Sequence, residues 1–309
     1  MIQALTEESL HIGSVKGYKS AWNILTTFAE SVGMTATVIL TDTKPLDANL
    51  IELWITDMRD TGTGAGVIAS RLSAIKWCCE VNRKPLNLEA TTVSRLMGAV
   101  MRSNSTVPNK AKPVTPANMR SFYDLCNTAT PLVWHHRLMA IMLLCYTGFL
   151  RIGECITIQV NHLAFTPSHL TIFCPQRKGD RYRLGGEVFI ARLPGSLLCP
   201  VAYLENYLKE LPRHLPEDPI FPSWTKPNEA ISYTTVRKHM AVIFKASGLG
   251  SSGLRTHSFR VGGATEAHNA GISDADAAKH GSWKDLLTYH GYVEPVVDDL
   301  LKVSQSLGI

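Results

Sequence analysis

A histidine and an arginine three residues apart form the most informative pair in this 309-residue sequence. His257 and Arg260 stand at the start of a predicted helix, where residues i and i+3 share one face. The first turn of a helix also presents unpaired N–H groups and the positive end of the helix dipole. A His-x-x-Arg pair is frequent by chance, but in this position it predicts a clamp for a phosphate group.

A second arginine lies beyond a long apolar stretch. Arg151 follows the predicted helix Leu132–Tyr146 and Gly148, a place where a buried guanidinium requires an anionic partner. Glu154, about one helical turn further on, is suited to hold that guanidinium or a neighbouring group in position. A purely local structural ion pair is the alternative interpretation, and the sequence leaves both open.

A cationic hairpin is the third candidate element. Two strand-like runs, His169–Cys174 and Glu187–Arg192, flank a connection rich in Arg, Lys and Gly. A lysine at the hairpin tip is able to reach a substrate and donate a proton. For most of the basic side chains there, a solvated turn or a plain phosphate contact is the simpler interpretation. The four basic residues are Arg177, Lys178, Arg181 and Arg183.

Taken together, these segments resemble the tyrosine recombinase family of phage integrases, chromosome-dimer resolvases and recombinases of DIRS-type and Crypton mobile elements. The family pattern is an Arg in a T-G-x-R-x-x-E-like segment, a hairpin Lys, H-x-x-R, a His or Trp after a Gly, and a Tyr nine residues later. The chain matches it in order with Arg151, Lys178, His257, Arg260, Trp283 and Tyr292.

The resemblance covers nearly the whole chain, with two particular features. At Phe149-Leu150 the first motif is one residue longer than its commonest form, T-G-[LM]-R. The R-I-G-E and S-F-R-V-G-G-A-T sequences most resemble those of the eukaryotic mobile-element members of the family. We therefore expect a DIRS- or Crypton-like relative.

The resemblance implies a site-specific DNA recombinase or integrase that cleaves and rejoins strands through a 3′-phosphotyrosyl link. Tyr292 is then the nucleophile, His257 accepts or relays its proton, and Lys178 protonates the departing 5′ oxygen. The two arginines offset the charge that builds on the phosphoryl oxygens. Trp283 packs in the pocket and hydrogen-bonds through its indole N–H. The link stores the bond energy, so no cofactor and no metal ion is implied.

Tyr289 competes with Tyr292 for the role of nucleophile, because it also lies near Trp283. The nine-residue spacing favours Tyr292, and a tyrosine in a short helix is usually a packing residue. His280 and His290 are interpreted as bystanders.

Two other functions are compatible with this resemblance. A DNA-binding protein derived from a recombinase would bind without turnover, but all six catalytic positions are filled. A type IB topoisomerase shares the chemistry and would relax supercoiled DNA without a preferred site.

Length and pattern predict a mainly α-helical α+β protein of two domains. Residues 1–105 form a helical core-binding domain, and 106–116 form a linker, within a proline-containing segment that lacks apolar periodicity. Residues 117–309 form a mixed catalytic domain with a small antiparallel sheet. The tail 293–309 is interpreted either as docking on a neighbouring subunit or as folding back on its own domain.

The net charge of +5 is unevenly distributed. All of the excess lies in residues 106–309, and the stretch 71–102 is locally basic. Two basic surfaces, one in each predicted domain, would suit binding to the same polyanion. The alternative is that the basic stretch is only a solvent-exposed helix face. In the first domain the predicted DNA-binding residues are Arg71, Lys76, Arg83 and Lys84.

Several protein classes are disfavoured by the sequence. The longest apolar run, Leu138–Tyr146, is about half of the ~20 residues that span a bilayer. No basic n-region opens the chain, and the seven cysteines contain no C-x-x-C pair. We therefore expect an intracellular protein found with its DNA, in the nucleus or the nucleoid. Its expected partners are double-stranded DNA and, on paired sites, three further copies in a homo-tetramer, with no membrane.

Overall fold

Two units divide the chain, Met1–Asn109 and Lys110–Ile309. The boundary falls within the predicted linker 106–116, whose bounds stay a prediction. The structure is a computed structural model. It describes residues 12–34, 46–86, 88, 91–104, 110–128, 132–175, 177, 180, 184–212, 215–294, 301 and 304–307.

The first unit consists of helices in its described part. Their bounds are α1 Ile12–Ser31, α2 Ala48–Asp60, α3 Ala65–Val81 and α4 Thr91–Ser103. α1 packs on α3, and α2 packs on α4. The apolar residues that predict these helices form one core, in which Leu25, Ile51 and Ile75 are fully buried. Asp47 caps α2, because its side chain accepts a hydrogen bond from the N–H of Asn49 at 2.9 Å.

The second unit is built around α6, a helix that is buried on all sides over most of its length. Its helices are α5 Pro116–Cys126, α6 Val133–Thr147, α7 Ile152–Cys155, α8 Pro200–Glu210, α9 Tyr233–Ala246, α10 Ser258–Asn269, α11 Asp274–His280 and α12 Leu286–His290. Every residue of α6 from Arg137 to Cys145 is buried. A helix without a polar face must be surrounded by other elements, and α5, α8, α9 and α10 pack against it.

A three-stranded antiparallel sheet completes this unit, in the order β1-β2-β3. The strands are β1 Leu163–Phe165, β2 His169–Cys174 and β3 Gly186–Ala191. Leu170 pairs with Ile190 and Ile172 pairs with Val188, and all four side chains are buried on the inner face. The predicted fold class, mainly helical with a small antiparallel sheet, is confirmed.

The last short helix differs from the sequence prediction. The pattern predicts a helix over Trp283–Tyr292, whereas α12 spans only Leu286–His290. It begins there because the Asp285 side chain accepts a hydrogen bond from the N–H of Thr288 at 2.7 Å. Trp283 and Tyr292 therefore lie on the two flanks of α12 and not on one helical face.

Two adjacent glycines let α10 approach its neighbours closely. A Cβ on Gly262 would overlap the carbonyl oxygen of Val114. A Cβ on Gly263 would overlap the carbonyl oxygen of Tyr146 and lie 2.7 Å from the Phe149 ring. These contacts fix the start of α10 against the end of α6, which brings His257 and Arg260 near Arg151.

We expect Gly263→Ala to destabilise the second unit by about 1–3 kcal/mol or more, since backbone on one side and a packed ring on the other leave the methyl group no space. Thermal unfolding followed by circular dichroism measures the effect. Gly153→Ala is the matched control, because a Cβ there meets nothing within 4 Å. Equal melting temperatures for the two variants would contradict the close approach.

No helix in the described part of the chain is both long and apolar enough to cross a membrane. All seven cysteines are buried thiols. Burial raises the pKa of Cys126 to about 12, so this thiol stays protonated and unreactive near pH 7.

Candidate active site

The start of α10 positions the His-x-x-Arg pair. His257 is the residue that precedes the helix, and Arg260 lies in its first turn. The segment is anchored on both sides of this start. The N–H of Arg255 donates to the Ser258 hydroxyl at 2.8 Å, and the N–H of Val114 donates to the Ser258 carbonyl at 3.0 Å. The pair thus stands on a rigid helix end and not on a free loop.

Arg260 is 1% exposed and is held by backbone oxygens and an indole ring. Its Nη1 donates to the Phe149 carbonyl, and its Nη2 donates to the Gly281 carbonyl at 2.9 Å. Its guanidinium carbon lies 3.9 Å from the centre of the Trp283 ring. Phe149, in the longer first motif, has a left-handed backbone with φ of 49°. The extra residue therefore supplies one of the carbonyl groups that fix Arg260.

Arg151 and Glu154 form a closed pair at the start of α7. The Arg151 Nη1 lies 2.7 Å from Glu154 Oε1, and the Arg151 N–H donates to Glu154 Oε2 at 2.9 Å. The Glu154 side chain is 5% exposed, while that of Arg151 is 20% exposed. Burial lowers the pKa of Arg151, but Glu154 and then Tyr292 outweigh this effect, so that the pKa is raised. Glu154 thus orients a guanidinium that remains reachable.

The Tyr292 hydroxyl lies between the two basic motifs. Its oxygen is 3.1 Å from His257 Nε2, and the tyrosine is near enough to Arg151 to help raise the pKa of that guanidinium. The guanidinium carbon of Arg260 lies 5.2 Å from the centre of the Tyr292 ring. Two contacts fix the chain around this tyrosine. His290 Nε2 lies 2.7 Å from an oxygen of Asp274, and the N–H of Glu294 donates to the Thr265 hydroxyl at 3.1 Å.

Tyr289, the competing tyrosine, has a different environment. It is fully buried, and its ring packs 5.3 Å from that of Trp283. Among the described residues its hydroxyl has no hydrogen-bond partner, and burial raises its pKa. This tyrosine packs the base of the site, as its place in a short helix predicts.

Trp283 is the centre of the aromatic packing. It is 8% exposed, and its ring lies 5.8 Å from that of Phe149 and 5.1 Å from that of Tyr292. The predicted hydrogen bond of its indole N–H is not made to any described residue. The group is buried, so this donor is left without a described hydrogen-bond partner.

The site carries more positive than negative charge. Burial, and next the charge of Arg151, lower the pKa of Arg260 to about 10, and Glu154 offsets this only in part. Of the buried N–H groups that lack a partner among the described residues, three belong to residues in or next to the site: Arg177 Nη2, Arg260 Nε and Trp283 Nε1. An anion that accepts several hydrogen bonds would balance the excess positive charge and give these N–H groups acceptors. In the described residues, no cluster of His, Cys, Asp and Glu suits a metal ion.

The other predicted site residues belong to the hairpin and to the first unit, and some lie outside the described residues. Lys178, Arg181 and Arg183 are outside the described residues. Arg177 donates through Nη1 to the Ser282 hydroxyl. In the first unit, Lys76 and Arg83 are exposed, Arg71 is half-buried, and Lys84 is 8% exposed. The DNA-binding role of these four side chains stays a prediction.

Sequence reasoning missed several residues that shape the site. Phe149 and Gly281 act through their backbone carbonyls, which carry no sequence signal. His280, interpreted as a bystander, contacts the Thr147 carbonyl through Nε2 at 2.8 Å and packs against the Phe149 ring. Ser282, which accepts a hydrogen bond from Arg177, has a left-handed backbone that residue spacing does not reveal.

The family model of the phage integrase family matches residues 112–297, more than half of the chain. This protein therefore belongs to the phage integrase family. It is a tyrosine site-specific recombinase by class, as the motifs predict, while its assignment to the eukaryotic mobile-element branch stays a prediction. It is 24% identical over 295 residues to an integrase/recombinase xerD homolog of Selenomonas ruminantium, covering 93% of this chain and 83% of that protein.

Two solved structures share the fold. One is a fragment of the Tn1549 transposon integrase in complex with circular intermediate DNA, with a TM-score of 0.61 and 14% identity, covering 99% of this chain and 98% of that one. The other is a lambda integrase fragment, a dimer bound to a COC′ core site, with a TM-score of 0.60 and 17% identity, covering 95% of this chain and 92% of that one.

Proposed function

We propose that this protein cleaves and rejoins double-stranded DNA at specific sites through a covalent link between Tyr292 and a 3′ phosphate. The observation that carries the proposal is the position of the Tyr292 hydroxyl, 3.1 Å from His257 Nε2 and near enough to Arg151 to help raise the pKa of that guanidinium. Arg260 and Trp283 border the same space. The two solved structures of similar fold contain bound DNA, which supports DNA as the substrate.

The reaction follows from these positions. A tyrosine hydroxyl is protonated near pH 7, so His257 takes its proton as the oxygen attacks the phosphorus. A bond forms between the tyrosine oxygen and phosphorus, and the bond from phosphorus to the 5′ oxygen breaks. Lys178 gives that oxygen a proton. Attack by a 5′ hydroxyl of a second strand reverses these steps and restores the tyrosine.

Arg151 and Arg260 supply the electrostatic stabilisation. The attack adds negative charge to the nonbridging oxygens, and fixed guanidinium groups offset this charge without reorganising. Arginine suits this task because its planar fork meets two oxygens at once. Glu154 holds Arg151 in place, and Phe149 and Gly281 hold Arg260. The exchange of two strands requires paired sites, so the active form is a tetramer on DNA.

A nicked suicide duplex tests the proposal. When cleavage next to the nick releases a short fragment, rejoining is prevented and the covalent intermediate accumulates. We expect an adduct that survives denaturing electrophoresis, carries the 3′ end of the cleaved strand, and forms on a preferred sequence. Tight binding without an adduct would contradict turnover. Relaxation of any supercoiled plasmid without sequence preference would indicate a topoisomerase instead.

Lys178→Ala is expected to slow cleavage of ordinary DNA by about 10²–10⁴-fold, the usual effect of removing a general acid. A substrate with sulfur at the 5′-bridging position should restore the rate, because a thiolate leaves without a proton. Cleavage rates on the two substrates measure this rescue. A variant that stays slow on the sulfur substrate would rule out Lys178 as the acid.

A further inference from the structure

Three consecutive residues after α11 contact two arginines. The Gly281 carbonyl accepts a hydrogen bond from Arg260 Nη2 at 2.9 Å, and the Trp283 ring lies 3.9 Å from the Arg260 guanidinium carbon. Between them, the Ser282 hydroxyl accepts a hydrogen bond from Arg177 Nη1. Arg177 is thus attached to the residue that lies between the two residues holding Arg260.

Ser282 has an unfavourable backbone conformation. The N–H of Trp283 donates to the Ala278 carbonyl at 2.9 Å, and that of Ser282 donates to the Lys279 carbonyl at 3.1 Å. This pattern ends a helix with a left-handed residue that is usually glycine. Here that residue is Ser282, with φ of 51°, while the glycine stands one position earlier at 281. A serine is less favourable than a glycine in this conformation, because its Cβ crowds the backbone.

The hydroxyl accounts for a serine at this position. Glycine would end the helix without strain but would leave Arg177 Nη1 without its acceptor. Strain that persists at a functional site indicates that the side chain has a role there. The role visible in the structure is to fix the guanidinium of Arg177.

Arg177 has an unused donor and is bonded to the residue next to those that hold Arg260. Its Nη2 is buried and has no partner among the described residues, as is also true of Arg260 Nε and Trp283 Nε1. The positive charge of Arg177 is close enough to contribute to the lowered pKa of Arg260. Like charges held together repel, and an anion between them removes that repulsion. The nonbridging oxygens of a DNA phosphate accept such N–H groups.

We propose that Ser282 is a positioning residue that holds Arg177 in the active site, where Arg177 binds the scissile phosphate as a third arginine beside Arg151 and Arg260. This inference rests on the proposed function. It assigns to Arg177 a role in the chemical step, which differs from a general contact with the DNA backbone.

Ser282→Gly separates this role from a purely structural one. Glycine relieves the left-handed strain, so the melting temperature should stay equal or rise. The dissociation constant for DNA should stay within about two-fold, while the first-order rate of adduct formation on the suicide duplex falls about ten-fold. Ser251→Gly, at an exposed loop serine, is the matched control and should cleave like the parent.

A double-mutant cycle completes the test. Arg177→Ala should slow adduct formation at least as much as Ser282→Gly, and adding Ser282→Gly to Arg177→Ala should cause no further loss. A Ser282→Gly protein that cleaves at the parental rate, or two losses that multiply, would overturn the inference and leave the proposed function intact. A parent protein that forms no adduct would overturn both.

Discussion

A Tyr292→Phe variant is expected to bind DNA as the parent does and to form no covalent adduct with it. Phenylalanine keeps the ring that packs 5.1 Å from Trp283 and removes only the hydroxyl near His257. Loss of a nucleophile lowers the rate by about 10⁴-fold or more, which is below detection here. Electrophoresis of the suicide-duplex reaction under denaturing conditions measures adduct formation, and a mobility shift under native conditions measures binding.

Tyr289→Phe is the matched control for that variant. It removes a hydroxyl only three residues away that is fully buried and unpartnered among the described residues. Removing such a group is neutral or stabilising, because no hydrogen bond to a described residue is lost. Adduct formation should therefore persist at close to the parental rate. If Tyr289→Phe lost the adduct and Tyr292→Phe retained it, the two tyrosines would have to exchange roles.

Arg260→Lys should lower the rate of adduct formation by about 10²–10³-fold, the loss typical of one removed donor to a developing oxyanion. Lysine keeps a positive charge, but its single nitrogen cannot replace the separate Nη1 and Nη2 donors that reach the Phe149 and Gly281 carbonyls. DNA affinity should change only a few-fold, because many other phosphate contacts contribute to it. Rates from single-turnover cleavage, beside dissociation constants, separate the two effects.

Arg137→Lys controls for damage to the fold. Arg137 is also buried, at 2% exposed, and its Nη1 also donates to a backbone carbonyl, that of Pro222, at 2.7 Å. Arg137 contacts none of the described site residues. The Arg137→Lys substitution should therefore lower the melting temperature without slowing cleavage by the folded protein. If Arg260→Lys lost binding and cleavage equally, Arg260 would serve the fold and not the reaction.

The pattern of apolar residues predicts most of the helices and strands that position the site residues. The sequence pattern predicts a helix over Ser258–Asn269, and the helix that carries Arg260 has these bounds. The apolar run in α6 predicts a central helix because no face of it suits water. Strand β1 was not predicted, since three residues are too few to show an alternating pattern.

What the sequence does not reveal depends on backbone geometry. The left-handed conformations of Phe149 and Ser282 arise from chain reversals whose residues are not the glycines that such positions usually favour. The hydrogen bonds that hold Arg260 end on carbonyl groups, and every residue type has one. Order and spacing therefore name candidate residues, while their acceptors and orientation require coordinates.

Tyr292 is the residue expected to form the covalent link to DNA. The most direct measurement is mass spectrometry of the protease-digested adduct formed on the suicide duplex. The predicted result is a single peptide in which Tyr292 bears the mass of a 3′-phosphorylated nucleotide. A nucleotide on Tyr289 or on any other side chain, or a link through the 5′ phosphate, would contradict the account.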